Sequence, residues 1–289
     1  EEHIMANNIS QRIRNGYSGF SKGQKKIASA VLNEYEKVAY MTAARLGTMV
    51  GVSESTVVRF ANELGYEGYT DFQYAVQELV RSKLTPNQRI EITKQRFGRK
   101  DILESVMEAD MAKIRYTLET VDRNAFDKTI DAIIKARTVY ILGARSALAL
   151  AYFLQHNLSM IMDNIRLIQP MSTGEVFEQL YSVGEEDVVI AFSFPRYSTK
   201  MIRAVQYAKT KNATIVIVTD SVTSPLAEHA TYLLAAQSDM VSFADSYVAP
   251  LSIVNAIIAG IADRKQNAIE DRFNRLEKIW SDFDIYAKR

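Results

Sequence analysis

The stretch from Thr42 to Leu64 constrains the fold more than any other part of the chain. The spacing of its apolar residues fits two short helices that cross at a sharp angle. Gly51 falls where the first helix must end, because glycine adopts a left-handed C-terminal cap without a Cβ clash. Ser53 is a suitable N-cap for the second helix. The buried stripe of that helix recurs every three or four residues at Val57, Phe60, Ala61 and Leu64. The pattern predicts a helix-turn-helix.

The outward face of the second helix carries short hydroxyls near its start, followed by a guanidinium and an amide. Such groups reach phosphates and base edges when a helix enters the major groove of DNA. The alternative is an ordinary helical hairpin with a solvated face. We predict a double-stranded DNA operator as the partner. The candidate DNA-binding residues are Ser53, Ser55, Thr56, Arg59 and Asn62, with Lys22 and Lys25 from the preceding helix.

Composition excludes several classes of protein. The chain has 289 residues, no cysteine and a net charge of only +1, so it carries no disulfide framework, thiolate zinc site or cysteine nucleophile. It shows no export signal and no apolar run of about 18 residues, so we expect a cytoplasmic protein without membrane contact. We predict no metal and no cofactor.

Two capping boxes frame the helix-turn-helix. Ser21 with Gln24 predicts the start of one helix, and Thr70 with Gln73 predicts the start of another. In each box the two side chains satisfy amide groups that the helix itself leaves without acceptors. Residues 1–82 are therefore expected to form a small all-helical DNA-binding domain.

A boundary is expected near Thr85 and Pro86, because proline after a helix favours a turn. Residues 83–124 are then a linker and a connecting helix that starts at Asp101. The apolar face of that helix comprises Leu103, Met107, Met111, Ile114, Leu118 and Val121. This face has two possible partners, its own domain or a second subunit.

Residues 125–289 show a different pattern. A helix over Asn124–Ala136 is followed by short, nearly continuous apolar runs that alternate with segments of helix length. The runs are 139–142, 165–168, 188–192, 215–218 and 232–235. Strands buried on both faces and separated by helices predict a doubly wound, five-stranded parallel α/β sheet flanked by helices. Ligands of such sheets bind beyond the carboxyl ends of the strands.

Two loops of interest each follow the end of a predicted strand and lead directly into a helix. Ser146 lies in the first loop, and Ser193 and Ser198 lie in the second. Helix N-termini and hydroxyls at adjoining strand ends are suited to an anion. The alternative is that these serines only cap their helices. The first loop lacks the Gly-x-Gly-x-x-Gly pattern of a dinucleotide-binding enzyme.

In these motifs the chain resembles the RpiR family of bacterial transcription regulators, which join a helix-turn-helix to a SIS (sugar isomerase) domain. The DNA-binding segment of the family is matched by VSESTVVRFANELGYEGYTDF, and its two phosphosugar loops are matched by VYILGARSALALA and AFSFPRYST. The resemblance implies a DNA-binding regulator of carbohydrate metabolism genes, controlled by a small anionic sugar derivative such as a sugar phosphate or sugar acid.

The loops depart from the family pattern. Gly-x-Gly-x-Ser and Ser-x-Ser-Gly-x-Thr place glycines where this chain has Arg145 and Arg196. Two arginines in one pocket would suit a phosphate or carboxylate. They could instead turn outward or pair with acids such as Glu175 or Asp239. The candidate effector-binding residues are Arg145, Ser146, Ser193, Arg196, Tyr197, Ser198 and Thr199.

A sugar-phosphate isomerase of the SIS fold is the alternative function, since that chemistry needs a histidine or carboxylate base. None of the candidate bases lies in the two loops, and we predict no catalytic residue. Those candidates are His156, His229, Glu175, Glu178 and Glu228.

The C-terminal segment bears on assembly. Its apolar residues recur in steps of four and three, as in a coiled-coil seam, although this helix could equally pack on its own domain. They are Ile269, Phe273, Leu276, Trp280 and Phe283. Because helix-turn-helix proteins usually bind two half-sites, a homodimer or homotetramer is expected.

Overall fold

The computed structural model describes residues 9–83, 86–97, 101–169, 172–240 and 242–286. The chain divides into two compact units, one ending at Arg96 and one beginning at Phe97, except that Thr223–Pro225 belong to the first. Within the described ranges, no helix combines the length and the apolar character needed to cross a bilayer.

The first unit is all helical, and the predicted helix-turn-helix is present. Its helices are α1 (Ile9–Gly16), α2 (Lys22–Asn33), α3 (Tyr35–Val38), α4 (Ala43–Val50), α5 (Glu54–Glu63), α6 (Tyr69–Lys83) and α7 (Pro86–Phe97). Helix α4 ends at Gly51, which adopts the left-handed conformation with φ of 70°. Ser53 caps α5 and accepts a hydrogen bond from the Thr56 amide. Edge-to-face contacts of Phe60 with Phe20 and Phe72 fill the core beneath α5.

One of the two capping boxes forms as predicted. Ser21 and Gln24 make both reciprocal hydrogen bonds at the start of α2. The box at Thr70 is wrong, because α6 already begins at Tyr69. Gln73 instead donates its side-chain amide to the Met41 carbonyl at 2.7 Å. A tertiary acceptor therefore takes the side chain that the local pattern had assigned to a cap.

The predicted linker contains a helix that the sequence did not reveal. Helix α7 begins at Pro86, which suits a first helical position because the missing amide hydrogen needs no partner there. Its polar, basic sequence has little apolar periodicity, so the pattern gave no signal. Thr85, in the predicted boundary, lies outside the described residues.

The second unit has the predicted five-stranded parallel sheet, in the order β2-β1-β3-β4-β5. The strands are β1 (Val139–Gly143), β2 (Ile165–Ile168), β3 (Val188–Phe192), β4 (Thr214–Thr219) and β5 (Tyr232–Ala235). The helices are α8 (Ile102–Thr120), α9 (Arg123–Lys135), α10 (Leu148–Ser159), α11 (Thr173–Gln179), α12 (Thr199–Thr210), α13 (Val248–Arg264) and α14 (Gln266–Asp282). Helices α9, α10 and α13 cover one face of the sheet, and α12 packs against β3 and β4.

Helix α8 has the predicted extent, but its own unit does not cover its apolar face. Met107, Met111 and Leu118 are 58%, 63% and 56% exposed. The side that packs against α13 is polar, and it buries Lys113 and Thr117. Within the described residues, Met107, Met111 and Leu118 therefore do not pack on their own domain, whereas Val121 at the end of the stripe packs against its core.

Helix α14 packs on its own domain at its start and is exposed at its end. Ile269 is buried and Phe273 packs against the core of the sheet. Arg272 reinforces this attachment through an ion pair to Asp163 at 2.7 Å. Phe283 is 74% exposed. The start of the helix therefore belongs to its own domain, and its end presents aromatic side chains to solvent.

Candidate functional site

The loops after β1 and β3 begin side by side, because Gly143 and Phe192 are paired in register at the strand ends. A 3-10 turn over Arg145–Ala147 then folds back over the end of β1. A Cβ on Gly143 would lie 2.7 Å from the Ala147 carbonyl oxygen. Glycine is therefore required there for the turn to approach the strand this closely.

Arg145 and Arg196 both adopt the left-handed backbone conformation, with φ of 56° and 67°. Both side chains are exposed, and both contribute to the lining of one cleft. Across the described residues, neither guanidinium makes an ion pair, so the alternative of pairing with Glu175 or Asp239 does not occur. Glu175 instead accepts the Ser172 amide as part of a capping box on α11, and hydrogen bonding to the side chain and then to the backbone of Ser172 lowers the pKa of Glu175.

The cleft hydroxyls do not act as helix caps. Ser198 occupies the N-cap position of α12 but makes no side-chain capping bond. Ser146 Oγ lies 3.0 Å from the Tyr247 hydroxyl. Ser193 is buried, and its side chain makes no hydrogen bond to another described residue. The interpretation of these serines as simple caps therefore does not describe their contacts.

A third segment, just before α13, completes the cleft, and no sequence pattern had indicated it. It contributes Asp245 and Tyr247, whose ring lies 4.9 Å from that of Phe194. The cavity volume is about 40 Å³, and the rest of the cleft is open to solvent. The lining residues are Ala144, Arg145, Ser146, Ala147, Phe192, Ser193, Phe194, Pro195, Arg196, Ser198, Asp245 and Tyr247.

Two predicted effector residues do not line this cleft. Thr199 is the exposed first residue of α12. Tyr197 directs its hydroxyl to both carboxylate oxygens of Asp220, at 2.9 and 3.0 Å. The structure thus brings together five of the seven predicted residues, and it uses Tyr197 to join the second loop to the end of β4.

None of the bases considered for an isomerase lies in the cleft. His156 is exposed and stacks with Tyr152 on α10. His229 lies beside Gln206, and burial lowers its pKa. Asp245 is the one acidic side chain among the lining residues. Within the described ranges, no cluster of three or more acidic or histidine side chains could hold a metal ion.

The start of α5 presents a compact cluster of hydroxyls. Ser53 Oγ lies 2.9 Å from Ser55 Oγ and 2.8 Å from Thr56 Oγ1. Further along, Arg59 is exposed and donates its Nε to the Ser55 carbonyl oxygen, which leaves its terminal nitrogens for another acceptor. Asn62 is exposed about one turn beyond Arg59 and two turns beyond Ser55. These positions lie on the outward side of α5, and contact with bases and phosphates remains a prediction for them.

The start of α2 adjoins this face, and a shallow groove runs between the two helices. Ser21 and Gln24 line it on the α2 side, and Arg59 and Glu63 line it on the α5 side. Gln24 also donates to the Glu63 carboxylate, so one side chain joins the capping box to the end of α5. Glu63 was missed in the sequence because its partner is 39 residues away.

The two predicted lysines lie on α2 without lining that groove. Lys22 is exposed, and Lys25 places its Nζ 5.6 Å from the centre of the Tyr17 ring. Both remain close enough to the start of α2 to add positive charge beside the groove.

Comparison with known proteins identifies both halves of the chain. Residues 7–83 match the helix-turn-helix domain of the rpiR family, and residues 132–260 match the SIS domain. The chain is 23% identical to the HTH-type transcriptional regulator HexR of Escherichia coli strain K12, over 94% of this chain and 93% of that protein. It is 24% identical to an HTH-type transcriptional regulator of Thermotoga maritima, over 91% and 95% of the two chains.

Solved structures share the fold. The Vibrio vulnificus NanR protein complexed with ManNAc-6P superposes with a TM-score of 0.62 at 20% identity, over 97% of this chain and all of that one. The sugar isomerase domain of an RpiR transcription factor from Sphaerobacter thermophilus superposes with a TM-score of 0.57 at 25% identity. The match covers 60% of this chain and 97% of that one. The chain therefore belongs to the RpiR family of transcriptional regulators, in which a helix-turn-helix precedes a SIS domain.

Proposed function

We propose that this regulator controls carbohydrate metabolism genes and that a small anionic sugar derivative, bound in the cleft, sets its affinity for DNA. The observation that carries the proposal is the pair of left-handed arginines, Arg145 and Arg196, on two loops that line one cleft with serine hydroxyls. A strained backbone that persists in the loops of a polar cleft is typical of functional sites. Guanidinium groups bind phosphate and carboxylate through paired hydrogen bonds.

The proposed effector class is a sugar phosphate or a sugar acid. Arg145 and Arg196 would hold the anionic group, while Ser146, Ser193 and Ser198 would hydrogen-bond to it or to the sugar hydroxyls. Asp245 suits the opposite end of such a ligand, since a carboxylate accepts hydrogen bonds from hydroxyls and repels phosphate. The ManNAc-6P bound to the Vibrio neighbour supports a phosphorylated sugar.

We infer that DNA is bound by residues 1–82, with 83–124 connecting them to the effector domain of residues 125–289. The exposed hydroxyls at the start of α5 suit phosphate contact, and Arg59 suits a base edge in the major groove. Lys22 and Lys25 would strengthen binding to the backbone. A protein with these tasks would work in the cytoplasm, beside the chromosome.

A non-enzymatic role is favoured by the side chains of the cleft. Isomerisation of a sugar phosphate needs a base within reach of the substrate carbon. Of the lining residues only Asp245 could serve, and His156, His229 and Glu175 all lie elsewhere. We therefore favour binding without turnover over the isomerase alternative.

We further infer that a second copy of the chain covers the apolar stripe of α8, giving a homodimer or a tetramer of such dimers. Met107, Met111 and Leu118 are more than half exposed, whereas the polar side of the same helix is buried. A continuous exposed apolar stripe marks an interaction surface. A two-fold assembly also matches the paired half-sites that helix-turn-helix proteins bind.

Thermal-shift measurements with sugar phosphates and sugar acids test the effector proposal. At least one such anion should raise the melting temperature of the full chain, and Arg196→Ala should remove most of that shift. The uncharged parent sugar serves as the control ligand. If the parent sugar stabilises the chain equally, or if isomerised product accumulates, the proposal is wrong.

A further inference from the structure

We propose that Ser246 and Thr117 are positioning residues that link occupancy of the cleft to the position of α8. The inference rests on the proposed function of the cleft and names the contacts that carry its regulation. Both residues belong to a buried polar interface between α8 and the segment that joins β5 to α13, of which residues 237–240 and 242–246 are described.

The cleft and α8 are connected through consecutive residues. Asp245 and Tyr247 line the cleft, and Tyr247 contacts both loops through Ser146 and Phe194. Ser246, between them, donates its hydroxyl to Asp110 Oδ1 of α8 at 2.7 Å. A ligand that shifts the backbone at Tyr247 must therefore also shift the donor held by α8.

A second contact lies at the other end of the same segment. The backbone amide of Gln237 donates to Thr117 Oγ1 of α8 at 3.0 Å. The Ser246 amide donates to the Asp239 carbonyl oxygen, and Met240 and Asp245 form an antiparallel bridge. These bonds close the segment on itself, so its two contacts with α8 should move together.

The hydrogen bonds between α8 and this segment are buried, and burial restricts their geometry. Ser246, Thr117 and Lys113 are 7%, 4% and 4% exposed, and Lys113 Nζ pairs with Asp110 Oδ1 at 3.0 Å. Water cannot readily replace a hydrogen bond lost in such a place, so the interface has few acceptable arrangements. An apolar interface would slide more freely. The outer side of this helix carries the apolar stripe, so any shift of α8 would reach the proposed dimer contact.

Hydrogen exchange of the full chain tests the inference. Exchange is compared with and without saturating ManNAc-6P, 6-phosphogluconate or inorganic phosphate, in the unaltered chain and in the double variant Ser246→Ala/Thr117→Val. The double variant keeps the Lys113–Asp110 pair, so no buried charge loses its partner. Ser252→Ala is the matched control, because among the described residues the Ser252 hydroxyl bonds only to the Val248 carbonyl within α13. Thr117→Ser, which keeps the hydroxyl, is the conservative control.

In the unaltered chain and both controls, an anion that protects the two cleft loops should also slow exchange in α8 by about fivefold or more, the lower range of coupling between sites. The double variant should keep the cleft protection and lose the α8 response. If the double variant does not fold, each single substitution is scored in the same way.

Different results identify different failures. If the double variant keeps both the cleft protection and the α8 response of the unaltered chain, the coupling is overturned but the effector site is not. Loss of the α8 response in either control has the same meaning. Cleft protection without any α8 response in the unaltered chain also overturns it. If no probe protects the cleft loops, the proposed effector site fails and the coupling falls with it.

Discussion

Arg145 and Arg196 share one unusual backbone conformation on two loops that lie at neighbouring strand ends. Both stand where the SIS pattern has glycine, and the left-handed φ values explain that preference because glycine has no Cβ to clash. Holding a larger residue in this region costs about 1–2 kcal/mol. The chain tolerates that cost twice at one cleft, which supports the proposal that both arginines bind the effector.

Replacing either arginine by glycine should separate stability from binding. Arg145→Gly and Arg196→Gly each relieve the left-handed strain, so we expect the free energy of unfolding to stay the same or rise by about 1 kcal/mol. Loss of the charged hydrogen bonds should weaken binding of the anion by about 10-fold to 100-fold. Calorimetric titration and thermal melting measure the two effects. A glycine variant that binds as tightly as the unaltered chain would contradict the assignment.

Arg59→Ala should weaken operator binding by about 10-fold to 100-fold while anion binding in the cleft is retained. Arg275→Ala is the matched control, because Arg275 is also exposed and also donates its Nε at 3.3 Å to the carbonyl four residues before it. Electrophoretic mobility shifts report DNA affinity. Equal loss of DNA and anion binding would point to misfolding rather than to a DNA contact.

Gly143→Ala should destabilise the second unit, because the added Cβ would lie 2.7 Å from a backbone oxygen that cannot move alone. We expect a loss of about 1–3 kcal/mol in denaturant unfolding. Gly174→Ala is the comparison, since a Cβ there would meet nothing closer than 3.9 Å within α11 and alanine favours the helix. Similar losses for both variants would refute the explanation by close approach.

Met111→Lys should dissociate the proposed dimer, because it places a charge in the middle of the apolar stripe of α8. The side chain is already 63% exposed, so the fold of the single chain should survive. Ala112→Lys adds the same charge at an exposed position one residue further along and should leave the assembly intact. Sedimentation at micromolar concentration distinguishes the two. An unchanged mass for Met111→Lys would place the subunit contact elsewhere.

Stability of the first unit should fall between about pH 10 and pH 12. Burial raises the pKa of the Tyr69 phenol to about 12, and its hydroxyl donates to the Met41 carbonyl oxygen. The folded chain therefore keeps a proton that the unfolded chain releases above pH 10, and stability is lost as the pH rises through this window. Tyr69→Phe should reduce the slope of melting temperature against pH, whereas Tyr40→Phe, at an exposed position, should not.

Local sequence patterns predicted the elements whose structure depends on neighbouring residues in the chain. The inner strands β1, β3 and β4 were found because a strand buried on both faces must be almost entirely apolar. The edge strands β2 and β5 are only partly buried, and their short apolar runs were still sufficient to find them. The turn at Gly51 was found because its left-handed conformation has few acceptable residues. In the same way, the serines and arginines of the two loops were found because they directly follow strands whose ends meet.

The sequence by itself determined the class of each half of the protein, since apolar spacing and turn residues act within a few positions of one another. Only the tertiary structure decided that Asp245 and Tyr247 complete the cleft, because they lie about 100 residues from Arg145 and no local pattern marks them. It also decided that α8 buries Lys113 and exposes its apolar stripe, reversing the usual rule for a helix face. That reversal depends on hydrogen-bond partners supplied by a distant segment, and distant partners leave no trace in local spacing.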